Sequence, residues 1–221
     1  MSWLEQALFV PALLVAGLVG GALAWAGPAP YLDIARDNGV ATLTFIGPAS
    51  ASVTYDLARA AELHAGWSSY VTGGAEEPPV SADVPFSDDE RRHMGDVRRV
   101  FEGLRFAIPL ALFVLAVRLQ RWRARSARMM WSMVRRGVLA AVVLVALAGV
   151  GAIVAFEPLF LLFHRVFFPQ GNYLFDPASS NLVRLYPDWY WEGITLRVGL
   201  TFVGAGLAIA AIATARLRAA K

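Results

Sequence analysis

No cysteine occurs among the 221 residues, so disulfides, thiolate metal sites and cysteine nucleophiles are all excluded. Histidine is scarce: His64, His93 and His164 lie 29 and 71 residues apart. Neither H-x-x-x-H nor H-E-x-x-H spacing exists, so no metal site is expected. G-x-S-x-G and a glycine-rich phosphate loop are also missing, and the glycine-rich pieces suit helix packing and turns. No acid falls between Gly103 and Phe156. An intramembrane proton relay needs charged groups at the midplane, so this gap argues against transport. There is no internal repeat and no low-complexity tail.

What is present is apolar surface. With 57% hydrophobic residues and a mean hydropathy of +0.51, the chain does not read as a soluble domain. Residues 1–26 form the first expected transmembrane helix, apolar over about 23 residues apart from Glu5 and Gln6. Ala24-Trp25-Ala26 resembles a signal-peptidase site, but the segment before the apolar run lacks Lys and Arg and carries Glu5, which favours a retained helix.

Residues 27–87 read as an extracytoplasmic α+β segment. Gly27, Pro28 and Pro30 end the first helix, and the alternating, β-branched stretch 40–46 is a strand. A short helix is expected around 55–63, and Gly73-Gly74 and Pro78-Pro79 mark a loop. Ser87-Asp88-Asp89-Glu90 has capping-box form, so a helix starts there and fills 88–122. Its membrane part is 104–117, with a kink expected at Pro109. Residues 123–136 are expected as a cytoplasmic basic loop, 137–156 as the third span, 157–193 as an outer loop, and 194–221 as the fourth span and tail.

Charge orients the chain. Residues 118–136 hold seven arginines and no acid, a cytoplasmic marker rather than a nucleic-acid patch, and Arg216, Arg218 and Lys221 follow the last span. Residues 27–103 balance at −6 (twelve acids, six arginines) and 157–193 at −2 (four acids, two arginines). The expected fold class is therefore a membrane all-α four-helix transmembrane bundle with a small α+β extracytoplasmic domain between helices 1 and 2. Both termini are cytoplasmic, and all three histidines lie outside.

Residues 160–177, FLLFHRVFFPQGNYLFDP, place His164 in an aromatic run and follow it with Pro169, Gly171, Asn172 and Asp176. An imidazole among Phe163, Val166, Phe167 and Phe168 needs a partner or a task. The run can enter a bilayer surface but is too short to cross one. His93 precedes Asp96 by three residues, close enough on a helix for the carboxylate to orient its ring. His64 reads as an ordinary residue, and Trp189, Tyr190 and Trp191 read as an interfacial belt.

PFSDDERRHMGDV (85–97), FHRVFFPQGNYLFDP (163–177) and LVRLYPDWYW (182–191) together resemble the bacterial lipoprotein intramolecular transacylases, the Lit family. Tyr173 stands where the family pattern has tryptophan, and tryptophans stand near 189–191 where phenylalanine is usual. The resemblance implies a four-span protein of the bacterial cytoplasmic membrane with its active site on the outer leaflet. The implied reaction moves the sn-2 acyl chain of a diacylglyceryl lipoprotein onto its N-terminal cysteine amine, without a cofactor.

On that chemistry His164 is the principal base. His93, steered by Asp96, protonates the leaving oxygen or holds the amine, and the two roles are exchangeable. Asn172, Arg165 or backbone N–H groups around Gly171 are the candidate oxyanion donors, and Asp176 before Pro177 fixes a turn. The implied partners are diacylglyceryl-modified lipoproteins and membrane phospholipids, with no nucleic acid; the sequence sets no oligomeric state. Three rival readings stand beside the transacylase one: a membrane lipid or lipoprotein hydrolase using the same histidines, a non-catalytic lipoprotein-binding protein, and a plain structural four-helix membrane protein.

Overall fold

A computed structural model describes residues 2–219; Lys221 of the expected basic tail lies outside the described residues. Its elements are α1 (Ser2–Trp25), α2 (Pro28–Asp37), β1 (Thr42–Ile46), β2 (Ser52–Asp56), α3 (Leu57–Thr72), α4 (Asp88–Arg125), α5 (Ala127–Val154), α6 (Phe156–Phe167), α7 (Asn181–Leu185) and α8 (Asp188–Ala219). Helices α1, α4, α5 and α8 are each long and apolar enough to cross a membrane. The chain divides into two compact units.

One unit comprises the chain up to Ala22, Leu104–Val154 and the chain from Leu196. Phe9, Trp122, Met133, Val134, Val138 and Ala213 form its main apolar cluster. Glu5, which counts against a cleaved leader in the sequence, accepts hydrogen bonds from Trp122 Nε1 (3.0 Å), Arg118 (3.3 Å) and Arg125 (3.0 Å). It thereby fastens α1 to α4. At Gly137 a Cβ would fall 2.5 Å from the Phe9 ring, so the close approach of α1 and α5 requires glycine there. The basic stretch expected as a loop over 123–136 is helical on both sides of Ser126. Helix α4 runs on through Pro109.

The other unit comprises Leu23–Gly103 and Ala155–Thr195. Its core joins Tyr31 and Ile34 of α2, Phe45 and Tyr55 of the hairpin, Trp67 of α3, Phe86 and Met94 near the start of α4, and Leu182, Leu185, Tyr186 and Tyr190. A segment of 27–87 alone is too small to bury such a cluster. Residues 182–190 of the later segment complete it.

Two local features depart from the sequence expectation. The first helix does end before Gly27, at Trp25, but a further helix follows at once: Pro28 occupies the first position of α2, where a missing N–H costs nothing. The stretch read as mixed from 52 splits into β2 and a longer helix, α3, capped by the Asp56 side chain on Arg59 N–H (2.9 Å). The β1–β2 hairpin pairs Thr42 with Asp56 and Ile46 with Ser52.

Two buried side chains lock this unit. Asn181 treats β1 as a partner strand would: its Oδ1 accepts Ile46 N–H and its Nδ2 donates to Ile46 O, both at 2.8 Å. Glu90 completes the expected capping box, accepting Ser87 N–H (2.7 Å) while Ser87 Oγ accepts Glu90 N–H. Its other oxygen accepts from Ser180 Oγ (2.6 Å) and Leu182 N–H (2.7 Å). Replacing Glu90 by Ala leaves these donors buried and unpaired. Purified in detergent, Glu90→Ala should lose about 2–4 kcal/mol of stability, seen as a clear drop in Tm.

Candidate active site

His93 stands in the second turn of α4, ahead of the apolar stretch 104–117, and His164 stands in the last turn of α6. Both are buried, at 6% and 7% exposure. Their rings are near parallel (23°) with centroids 6.0 Å apart. Phe168 packs against both, at 4.8 Å from His93 and 5.4 Å from His164. Phe175 closes the His93 side at 5.7 Å, and Phe160 (4.1 Å) and Tyr173 (5.1 Å) close the His164 side. Two histidines 71 residues apart thus lie side by side among aromatic rings.

His164 Nδ1 lies 2.8 Å from the Phe160 carbonyl oxygen four residues earlier. A carbonyl only accepts, so Nδ1 carries the proton, and in the neutral ring Nε2 keeps its lone pair. Burial holds the imidazole below the usual histidine value, with the Phe160 carbonyl working in the opposite direction. A neutral ring with a fixed Nδ1–H and a lone pair at Nε2 is a proton acceptor.

The surroundings of His93 differ from the sequence expectation. Asp96 does not bond its ring. Its carboxylate accepts from Gln170 Nε2 (2.6 Å) and Asn172 Nδ2 (2.5 Å), and it pairs with the exposed Arg99. Asn172 sits against the His93 ring, so Asp96 reaches His93 at one remove, through Asn172. His93 Nδ1 and Asn172 Oδ1 are both buried and make no hydrogen bond. Buried polar atoms without partners are uncommon and mark places where a ligand or a strained arrangement belongs.

The other candidates are dispersed. Arg165, next to His164 in sequence, is exposed and makes no hydrogen bond or ion pair among the described residues. Gly171 has a φ of +79°, and its N–H is already donated to the Phe168 carbonyl (3.0 Å). That amide is therefore not available as an oxyanion donor. Asp176 holds a turn, its Oδ1 accepting Ala178 N–H (2.8 Å) and its carbonyl accepting Ser180 N–H (2.9 Å). Among the described residues no three His, Asp or Glu side chains gather as a metal site needs.

Sequence reasoning missed Gln170 altogether, although its position between Pro169 and Gly171 marks a turn close to His164. It also undervalued His64. That residue is 2% exposed and stacks on Tyr31 at 4.5 Å. Nε2 lies 3.0 Å from the Ala26 carbonyl and must donate, so Nδ1 accepts from the Tyr186 hydroxyl (3.1 Å). Its role is to brace the core of this unit.

Comparisons with known proteins bear on the same region. The sequence profile of the family "Lipoprotein intramolecular transacylase Lit" matches residues 59–191. The membrane-integral lipoprotein intramolecular transacylase Lit from Bacillus cereus, whose structure was determined in meso, superposes with a TM-score of 0.72 at 12% identity, over 99% of this chain and 96% of that one. Two variants of that protein, each with one histidine replaced, superpose at 0.66. The arginine variant is 11% identical and the alanine variant 12%, and both matches cover 99% of this chain. They cover 92% and 94% of the variants respectively. At these identities the superpositions speak for a shared fold. No curated protein sequence matches the chain.

Burial pushes the His64 imidazole from 6.5 down to about 4, the Ala26 and Gly27 carbonyl contacts opposing it. The folded protein keeps this ring neutral where the unfolded chain protonates it. The stabilisation is present above pH 6.5 and is lost as pH falls toward 4. Thermal unfolding in detergent across that range should show Tm falling with acidification, and His64→Gln, which does not titrate, should make the fall shallower.

Proposed function

The chain belongs to the lipoprotein intramolecular transacylase family, and from that premise we propose that it moves the sn-2 acyl chain of a diacylglyceryl lipoprotein onto the lipoprotein's N-terminal cysteine amine. The observation that carries this reading is the His93–His164 pair, two buried imidazoles 6.0 Å apart in an aromatic setting. It is a multi-pass membrane protein by its four apolar helices and its family. The arginine-rich stretches 118–136 and 216–218 support a reading with both termini in the cytoplasm and the histidine pair at the outer leaflet.

The substrate's α-ammonium, with an ordinary pKa near 8, must lose a proton before it attacks. His164 Nε2 takes that proton. The amine nitrogen then bonds to the sn-2 ester carbon, and the tetrahedral intermediate breaks its C–O bond to the glycerol. The glycerol oxygen leaves with a proton delivered by the histidine pair, His93 acting at the leaving oxygen or holding the amine. As the intermediate collapses, the nitrogen gives up its second proton to the histidine pair. Of the two protons lost by the ammonium, one ends on the glycerol oxygen and one passes to water. An ester and an ammonium thus become an amide, an alcohol and a released proton, with no cofactor required. Donor and acceptor belong to one molecule, so positioning contributes a large share of the rate.

Two features of the surroundings suit a lipid substrate. Phe168, Phe175, Phe160 and Tyr173 exclude water from the reacting atoms. Elsewhere around α6, Leu159, Leu162, Phe163, Val166 and Phe167 are exposed at 41–64%. An amphipathic helix of this kind lies in a bilayer surface, among the phospholipids, with its apolar face in the acyl region.

Expression in a bacterium whose lipoproteins lack N-acylation, followed by mass spectrometry of their N-termini, tests the proposal. The expected product is the N-acyl, S-monoacylglyceryl form. Release of free fatty acid without N-acylation would instead point to hydrolysis. His164→Ala should abolish product while leaving protein abundance unchanged. In a purified assay the wild-type rate should fall as pH drops below the usual histidine range, because protonation of His164 removes the base; the low pKa of the ring sets this loss below 6.5.

A further inference from the structure

We infer that Asn172 recognises the free amine of the substrate, its amide oxygen accepting an amine N–H beside His93. The inference rests on the transacylase reading and assigns Asn172 the opposite polarity to an oxyanion donor. A carboxylate can only accept, so the end of the Asn172 amide that meets Asp96 at 2.5 Å is its NH2 end. That fixes the flip of the amide and turns Oδ1 away from Asp96. The oxygen is buried, makes no hydrogen bond of regular geometry, and has the His93 ring within interaction range.

An oxygen in that position repels an oxyanion and attracts an N–H donor. Leaving it unpaired in a buried setting carries a penalty that a bound ammonium or amine removes. The adjacent His93 Nδ1 is unpaired as well. Even when His93 donates toward Asn172, the amide oxygen keeps a second lone pair for the substrate. Asp96 is fully occupied by Gln170, Asn172 and Arg99. It therefore acts as a positioning residue that holds the amide and adds negative charge behind it, favouring a cationic amine over a neutral group.

The reaction makes this selectivity useful. Substrate and product differ at the nitrogen: the amine is cationic and carries several N–H donors, whereas the product amide carries one and no charge. A site that gains its affinity from the amine binds the substrate and lets the product go.

The test uses purified full-length protein and two inert ligands. The first is a cysteinyl peptide carrying a dialkylglyceryl diether on sulfur, which has no ester to transfer. The second is the same peptide built on 3-mercaptopropionate, which lacks the amine. Wild type should bind the first about tenfold more tightly than the second. Asn172→Leu should bind both equally, at the affinity wild type shows for the amine-free ligand; that unchanged affinity also reports an intact fold. Asp96→Asn, which frees the amide flip, should reduce the preference partway. A full preference retained by Asn172→Leu, or no preference in wild type, overturns the inference. Neither outcome bears on whether wild type makes the N-acylated product, so the two readings fail separately.

Discussion

Two buried carboxylates on one helix hold the candidate site together. Glu90 and Asp96 lie six residues apart on α4, on either side of His93. Glu90 binds Ser180 and the Leu182 amide; Asp96 binds Gln170 and Asn172. Between them they fasten the segment 170–182 to the start of α4, and that segment follows directly from the helix that carries His164. A charged carboxylate is expensive to bury unless its lone pairs are filled. Besides Ser87 N–H on Glu90 and Arg99 on Asp96, the partners of both come from this one segment, which makes the juxtaposition of the two histidines the inexpensive arrangement. The site is thus built by polar satisfaction in an otherwise aromatic setting, and the aromatic rings supply exclusion of water.

Much of this was legible in the sequence, for identifiable reasons. The four long apolar helices follow from runs with few charges, which only a membrane-crossing helix accommodates. The start of α4 follows from Ser87 and Glu90, because a capping box is a local signal that needs no tertiary context. His164 stood out because its neighbours were aromatic. What stayed hidden depends on contacts between distant segments. Nothing near Asn181 in the sequence indicates that its amide serves as a strand partner for Ile46. Asp96 is three residues from His93, yet the carboxylate is taken by Gln170 and Asn172, which come into reach only through the fold. Helix α2 was missed because prolines were read as stops where Pro28 is a start. His64 lacked any sequence signal, and its burial follows from Tyr31, Tyr186 and the Ala26 carbonyl closing around it.

The chemistry that emerges needs little beyond proton placement. The Phe160 carbonyl determines which His164 nitrogen carries the proton, and burial keeps the other basic but uncharged. A second cation 6.0 Å away would be repelled by the first, so the pair is suited to holding one proton rather than two. Family membership agrees with this economy, since an acyl shift within one molecule consumes no activated donor.

The central claim, a neutral His164 with its proton on Nδ1 and a lone pair at Nε2, is tested most directly by nitrogen-15 NMR of histidine-labelled protein in lipid nanodiscs at pH 7, with His164 assigned by substitution. The account predicts a neutral ring whose Nδ1 is protonated and whose Nε2 is not. A doubly protonated imidazolium, or a neutral ring carrying its proton on Nε2, would contradict it.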